Sequence, residues 1–445
     1  MNARQAAVTA LLHIDEQGCY SNMALDACLE RVSPTAADKA LATRLLYGVT
    51  ERRLTLDYLL NEISATPVKK MHPAVREILR VGVYQLVYMD KTPAYAAIDG
   101  AVQLTRAMGQ GRLAGFVNGV LRQVQRQAGA LLECLPSTDK GLERRYSCPR
   151  HWLRAWRDAY GEDVLQGLLQ TFNEAPPAYI RVNTGCGSAQ ALREQWEQAG
   201  IACRPIEGLE NGFEILRPAL LRELPESMQR AFYFQDLASQ WACQALQPLP
   251  GERIADVCAA PGGKTMTIAQ MMGDTGHIRA GDIHEHKCRG LVQRVKQYGF
   301  TCIEVEQHDA SAPWPADMHG MFDRVVCDVP CSGLGVIRRK PEIRYKQPAD
   351  FAQLPTLQLR ILTQAAALVR PGGVLQYSTC TLRPEENEQV AAAFLECHPA
   401  FAPRLLPLDV CFAQAGVPAS HEITLFPHVH GTDGFYIAGF QRKSE

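Results

Sequence analysis

Two cysteines in this chain have neighbours that suit chemistry better than packing. Cys331 lies within Asp328-Val329-Pro330-Cys331-Ser332-Gly333 and Cys380 within Ser378-Thr379-Cys380-Thr381. Each follows a short apolar run and falls in a polar turn just beyond it. A lone cysteine is more often a small buried hydrophobe, and that reading is kept for Cys258, Cys302, Cys327 and most of the others. For Cys331 and Cys380 the turns argue for reactive thiols. Methyl transfer to a pyrimidine needs one: C5 of cytosine is a poor nucleophile until a thiolate adds at C6, after which C5 can attack an electrophilic methyl group. The thiolate calls for a nearby helix N-terminus or cation. A carboxylic acid or lysine near the ring N3 would stabilise the adduct, and Asp328 lies three residues before Cys331. A base must then remove the C5 proton so that the thiol can leave, and a second cysteine suits that step or assists it.

Upstream of both thiols, Cys258-Ala259-Ala260-Pro261-Gly262-Gly263-Lys264 follows a strand-like run and opens a helix. A glycine pair there lets backbone approach a ligand closely at a helix N-terminus. The ending Gly262-Gly263-Lys264-Thr265 resembles a nucleotide triphosphate loop, but that motif needs glycine at position 258, and Pro261 removes an amide donor. The dinucleotide pattern G-x-G-x-x-G is absent as well. Asp282 closes the next strand, where a carboxylate can accept from both ribose hydroxyls of an adenosine ligand. Asp309 follows the third strand and could reach an adenine amino group, while Asp256, inside the first strand, supports the loop. A single strand-end carboxylate is more often a helix cap; several at successive strand ends favour a ligand.

These residues need an alternating frame, and from about Gln235 the chain supplies it. Strand-like runs at 253–258, 277–283, 302–306, 322–328 and 373–378 alternate with helical patterns beginning at Lys264, His286 and Leu357. That order predicts a doubly wound parallel sheet with ligands at the carboxyl ends of its strands. Residues 431–440 read as a turn and a final strand. Residues 1–135 show helical periodicity and predict an all-helical domain. In it, Leu46 to Arg53 and Phe116 to Arg122 join apolar stripes to arginines, as solvated helix ends or as a phosphate-binding face. Residues 136–234 are mixed, with a strand expected over Tyr179 to Asn183 and a helix over Ser188 to Ala199 capped by Ser188. They form either a small α+β module or a structured linker, ahead of the core at 235–445.

Composition sets broad limits. The 445 residues are 47% apolar and 21% charged with a net charge of −1, as in soluble globular chains of two or three domains. Residues 1–145 carry a net +4 and the rest −5, a weak preference of the first part for a polyanion. Fifteen cysteines without a C-x-x-C pair signal neither a disulfide framework nor a zinc ribbon, so no metal is expected and a reducing compartment is. The opening residues are too polar for a signal peptide, and no apolar run approaches the roughly 18 residues of a membrane span. A cytoplasmic monomer is expected.

The motifs CAAPGGKT, DVPCSGLG, RRKPEI and STCT, in this order, resemble the NOL1/NOP2/Sun family of RNA cytosine-C5 methyltransferases, over essentially the whole chain. The resemblance implies a Rossmann-like class I core, a helical N-terminal domain similar to the RNA-binding factor NusB and a small RNA-contacting α+β subdomain between them. It implies that Cys258, Ala259, Ala260, Pro261, Gly262, Gly263, Lys264, Asp282, Asp309 and Asp328 bind S-adenosylmethionine. It further implies that Cys380 is the nucleophile and Cys331 assists release, although DNA cytosine methyltransferases attack with the Pro-Cys cysteine. The family's D-A-P-C reads Asp328-Val329-Pro330-Cys331 here and its G-D-A reads His308-Asp309-Ala310. Arg338, Arg339 and Lys340 would clamp RNA phosphate beside the catalytic turn, and the target base must leave its stack. The substrate so implied is one cytosine of 16S ribosomal RNA, usually cytosine 967, free or in a partly assembled small subunit. The alternatives are a tRNA cytosine and an inactive RNA-binding assembly factor.

Overall fold

Helices account for the first part of the chain and an eight-stranded sheet for most of the second. The computed structural model describes residues 2–17, 21–29, 35–407 and 420–444; Met1, Cys19 and Cys411 lie outside them. The chain forms two compact units, Met1–Glu174 with Ile337–Gln347, and Ala175–Val336 with Pro348–Glu445.

The first unit contains α1 (Ala3–Gln17), α2 (Ser21–Leu29), α3 (Ala36–Glu51), α4 (Arg53–Ile63), α5 (Pro73–Tyr88), α6 (Ala94–Ala107), α7 (Ala114–Glu133), α8 (Asp139–Tyr146), α9 (Arg150–Tyr160) and α10 (Glu162–Thr171). Thr35 caps α3 by accepting from the Asp38 amide, and Pro73 opens α5, where its missing N–H costs nothing. The apolar stripes of α1 to α7 meet in one core around Leu45, Leu46, Leu59, Ile78 and Leu121. Gly82 lets α7 approach α5, since a Cβ there would lie 2.8 Å from the Leu121 methyls. The segment Ile337–Gln347 is drawn into this unit by polar bonds: Arg344, fully buried, donates to the carbonyls of Glu51 and Phe172, and the Tyr345 hydroxyl donates to the Thr50 carbonyl at 2.6 Å.

The second unit begins with an α+β module. Its strands β1 (Ala178–Val182), β2 (Cys203–Ile206), β3 (Leu209–Ile215) and β4 (Phe232–Phe234) pair antiparallel in the order β2-β3-β1-β4. The helix α11 (Ala189–Gln198) has Ser188 as its cap, as expected, and buries Trp196 edge-on to Phe213 and Phe232. A short α12 (Glu226–Gln229) precedes β4.

The large sheet follows, with α13 (Leu237–Leu246), β5 (Arg253–Asp256), α14 (Gly263–Met271), β6 (His277–Asp282), α15 (Glu285–Tyr298), β7 (Ile303–Gln307), β8 (Phe322–Asp328), α16 (Leu354–Leu368), β9 (Val369–Thr379), α17 (Glu388–Cys397), β10 (Phe401–Pro403), β11 (Glu422–Leu425) and β12 (Phe435–Arg442). Its path is β10-β12-β9-β8-β5-β6-β7, with β11 added to β12. One face packs on α16 and α17 and the other on α13, α14 and α15. Covered on both faces, β8 buries the apolar run Val325 to Cys327 between them. The parallel order predicted for the whole core holds from β5 to β9 and stops there: β12 pairs antiparallel with β9, Tyr436 opposite Thr379. The chain crosses by α17 to β10, and β12 enters the slot between β9 and β10 from the opposite end. Among the described residues no helix is long and apolar enough to cross a membrane.

Candidate active site

Strands β5 and β8 lie side by side, Ile254 opposite Arg324, but β5 connects onward to β6 on one side and β8 to β9 on the other. Their carboxyl ends therefore diverge at a switch point of the sheet, where such folds bind ligands. The loop after β5 is Val257 to Gly262, the loop after β8 carries Cys331, and the turn after β9 carries Cys380.

The two thiols are brought together: Cys331 Sγ and Cys380 Sγ are 3.3 Å apart, both residues half-buried. The hydrogen bond to Cys380, and then burial, push the Cys331 thiol well above the usual range. At neutral pH Cys331 is therefore held as the protonated thiol, in hydrogen-bond contact with Cys380. The loops are tied by backbone as well. The Gly335 amide donates to the Cys380 carbonyl at 3.0 Å, and a Cβ on Gly335 would lie 1.9 Å from the Gly434 carbonyl oxygen. Glycine is required there by close approach of two backbones.

A carboxylate without exposure, Glu386, fixes the loop that carries Cys331. It accepts from the Ser332 amide at 2.8 Å and from Gln358 Nε2 at 2.9 Å, and Gln358 also donates to the Pro330 carbonyl. Its neighbour Asn387 donates to the Thr381 carbonyl at 3.0 Å, and the Ser332 and Thr381 hydroxyls meet at 2.7 Å. Each turn beside a thiol is thus fixed by a hydrogen bond to the same short segment. Sequence reasoning passed over Glu386, Asn387 and Gln358. The available signal was the polar run Arg383-Pro384-Glu385-Glu386-Asn387, too dense for an ordinary exposed turn after a buried strand.

Beside the thiols, Lys264 Nζ donates to Asp328 Oδ2 at 2.7 Å, while Asp328 Oδ1 accepts from Ser378 Oγ at 2.8 Å. Burial alone would lower the Lys264 ammonium; Asp328 more than offsets it, and Cys380 adds to the same field, so the ammonium is held above the ordinary lysine range. Lys264, in the first turn of α14 just past the glycine pair, is thus a cation whose charge acts on Cys380.

The loop that carries the glycine pair is built tightly. Gly262, at φ +101°, caps α14, and a Cβ on it would lie 2.2 Å from Leu291 Cδ1. The Ala259 amide donates to the Gly281 carbonyl at 2.7 Å, and Arg294 donates to the Pro261 carbonyl. Asp256 is buried beneath the loop, accepts from Thr265 Oγ1 at 2.7 Å and is pushed up to about 6 by that burial; its Oδ1 has no partner. Burial also pushes up the thiols of Cys258, Cys302 and Cys327, which fits their reading as packing groups. Asp282 and Asp309 each spend Oδ1 on a turn, accepting from the amides of His284 and Ser311 respectively. The Ser311 amide and hydroxyl hold the Asp309 carboxyl below its usual range. No hydrogen bond among the described residues reaches Oδ2 of either, which suits them to ligand hydroxyl and amino donors. The run Arg338 to Lys340 is not one solvent-facing patch: Arg338 is 5% exposed, Arg339 half-buried and only Lys340 exposed, because the segment belongs to the helical unit.

Comparison with known proteins finds relatives along the whole chain. The family described as 16S rRNA methyltransferase RsmB/F matches residues 243–441, the NusB family matches 1–126, and the ferredoxin-like domain of RsmF/B-like methyltransferases matches 148–221. The chain is 35% identical to a probable ribosomal RNA small subunit methyltransferase B of Synechocystis, covering 99% of this chain and 100% of that one. It is 34% identical to the ribosomal RNA small subunit methyltransferase B of Klebsiella pneumoniae, covering 98% and 97%. The crystal structure of the protein PH0851 superposes with a TM-score of 0.81 at 25% identity, covering 99% and 98%. A NusB-type helical domain, a ferredoxin-like module and a Rossmann-like core with two thiols at its switch point therefore place this chain in the RsmB family of S-adenosylmethionine-dependent 16S rRNA cytosine methyltransferases.

Proposed function

We propose that this enzyme methylates C5 of cytosine 967 of 16S ribosomal RNA through a covalent bond between Cys380 and C6 of the base. The observation that carries the reading is the 3.3 Å thiol pair flanked by the Lys264 and Asp328 ion pair. Cys331 is held protonated, and the charge of the Lys264 ammonium acts on Cys380, the sulfur taken here as the attacking one. Its lone pair adds to C6, and Lys264 and Asp328 stand beside the ring to balance the charge that develops. When bound, S-adenosylmethionine supplies an electrophilic methyl group for C5. Asp282 Oδ2 and Asp309 Oδ2 would hold its ribose and adenine, and the backbone of Ala259 to Gly263 its amino-acid end. After transfer a base takes the C5 proton, the electron pair of that C–H bond re-forms the C5–C6 double bond, and the C6–sulfur bond breaks to release the Cys380 thiolate, with Cys331 beside the departing sulfur to assist release. The target must be extruded or single-stranded to reach the thiols, with Arg339 and Lys340 as phosphate contacts. The reading extends to a cytoplasmic monomer acting on free 16S RNA or an assembling small subunit.

The test is a denaturing gel of protein incubated with unmodified 16S RNA and S-adenosylmethionine. Cys331→Ala is expected to carry RNA through denaturation, and Cys331→Ala with Cys380→Ala is not. A single variant free of RNA, with active wild type, would reject this division between the thiols. Methyl mapping of 16S RNA from a deletion strain tests the nucleotide: an unchanged mark at cytosine 967 rejects it.

A further inference from the structure

A second cavity, about 740 Å³ in volume, opens where the turn between β2 and β3 meets the carboxyl-terminal ends of α13 and α14. Arg181 on β1 lines it. Neighbouring Ile180 and Val182 point into the core of the α+β module, so the alternation of the strand turns Arg181 to the opposite face. It is 5% exposed, and among the described residues its guanidinium makes no hydrogen bond and no ion pair. The titratable groups whose charge states it influences, Tyr233 and Cys243, are both neutral at pH 7. Gln270, on the same wall, has neither amide atom partnered, and Thr184, Asn211 and Gln244 add a hydroxyl and two further amides. The one carboxylate of the lining, Glu210, is exposed and forms no ion pair with Arg181.

A guanidinium cannot shed its proton to escape burial, and buried charges in proteins are paired. The other deeply buried arginines among the described residues are all partnered: Arg80 pairs with Glu77 and Asp57, Arg344 donates to backbone carbonyls, and Arg338 also has a partner. Arg181 departs from that rule in a cavity whose polar lining, apart from the exposed Glu210, is neutral and offers amide and hydroxyl donors. A fork of N–H groups ringed by amide donors matches a tetrahedral oxyanion. The cavity also has a fixed relation to the catalytic site, since α14 runs from Lys264 to Gln270, about 9 Å along its axis.

We propose that the Arg181 cavity is a phosphate-binding subsite that takes one backbone phosphodiester of the RNA substrate, outside the target nucleotide. This rests on the reading of the chain as an enzyme of 16S RNA. Its role is to hold the flanking strand while the target base enters the crevice.

The experiment measures binding of the full-length protein to a 16S RNA fragment containing the target as a function of salt. Arg181→Gln is expected to weaken binding about tenfold and to reduce the slope of log affinity against log salt by about 0.7 to 0.9, the share of one phosphate. Arg181→Lys should restore the slope, and S-adenosylmethionine affinity, read by calorimetry, should stay at the wild-type value in both. An Arg181→Gln protein that melts cooperatively and binds RNA with unchanged affinity and slope overturns the proposal. Should that variant not fold, Asn211→Ala with Gln270→Ala decides: several-fold weaker RNA binding supports the subsite, and unchanged binding overturns it. Stabilisation of wild type by inorganic phosphate, with no effect of Arg181→Gln on RNA binding, would assign the cavity to a free phosphate and reject the RNA assignment. Turnover of wild type on the same fragment is followed in parallel. An inactive wild type counts against the functional reading, and an unaltered slope against the subsite.

Discussion

In the helical unit Arg80 donates to both oxygens of Asp57 at 2.7 and 2.8 Å and to Glu77 at 2.6 Å, with Asp15, Arg53 and Arg76 completing the cluster. In the crevice of the core Lys264 and Asp328 make an equally short pair at 2.7 Å, but two thiols and the unpartnered Oδ1 of Asp256 surround it. The first cluster saturates itself: Glu77 is fully buried and its carboxyl is pushed up by burial, and the charges of Arg80 and Arg76 pull against that. The second leaves groups with unused bonding capacity next to a fixed charge. Buried polar groups that close on one another maintain a fold, whereas those left open beside a charge are available to a ligand or a reacting base.

The comparison predicts opposite separations of activity from stability. Cys380→Ala should reduce methylation by roughly 10⁴-fold or more with little change in melting temperature; residual turnover near wild type would remove Cys380 from the nucleophile role. Arg80→Met should do the reverse. It should cost about 3 kcal/mol in urea unfolding, the low end for breaking a buried pair, because Arg76 remains on Glu77 at 3.0 Å, and the activity of the folded fraction should persist. A melting curve like wild type would show that the cluster is not structural.

Glu386→Gln sharpens the distinction, because Glu386 is a saturated group inside the catalytic region. Ser332 and Gln358 donate to Oε2 and Arg383 to Oε1, so the amide must turn its donor toward one of these donors, and the turnover rate should fall about tenfold while S-adenosylmethionine affinity holds; equal losses in both would make it a general structural residue. Asp256 supplies a pH signature. Its folded pKa of about 6 lies above the ordinary aspartate value, so the native state binds the proton more tightly than the unfolded chain. Its contribution to stability is therefore fully present below about pH 4 and is lost as pH rises through about 6. Asp256→Asn should flatten that part of the stability profile, and an unchanged profile would contradict the assignment. Smallest is the effect on alkylation. Cys331 should react slowly in wild type and faster in Cys380→Ala, because the hydrogen bond to Cys380 is the first cause of its raised pKa; equal rates would mean that the thiols do not interact.

Much of the core could be read from sequence because its signals are local. The run Phe322 to Asp328 is a strand over those same residues, Ser188 caps α11, and the glycine pair opens α14. Antiparallel β12 was not legible, since strand direction depends on which slot in the sheet is vacant. Ile337–Gln347 misled for another reason: a cationic run reads as surface, yet Arg338 and Arg344 are buried where carbonyls of distant helices await Arg344. Glu386 and Arg181 carry no mark in the sequence that separates them from exposed residues of the same type.

The sequence by itself determined the kinds of groups present, their order along the chain and the alternation that builds a switch point, because these depend on residue type and on spacings of a few residues. Only the tertiary structure decided that two thiols 49 positions apart stand 3.3 Å from one another, that the buried neighbours Glu386 and Asn387 steady one thiol turn each, and that Arg181 is buried without a partner. Those properties depend on distance and solvent exclusion between residues remote in sequence, which no local pattern encodes.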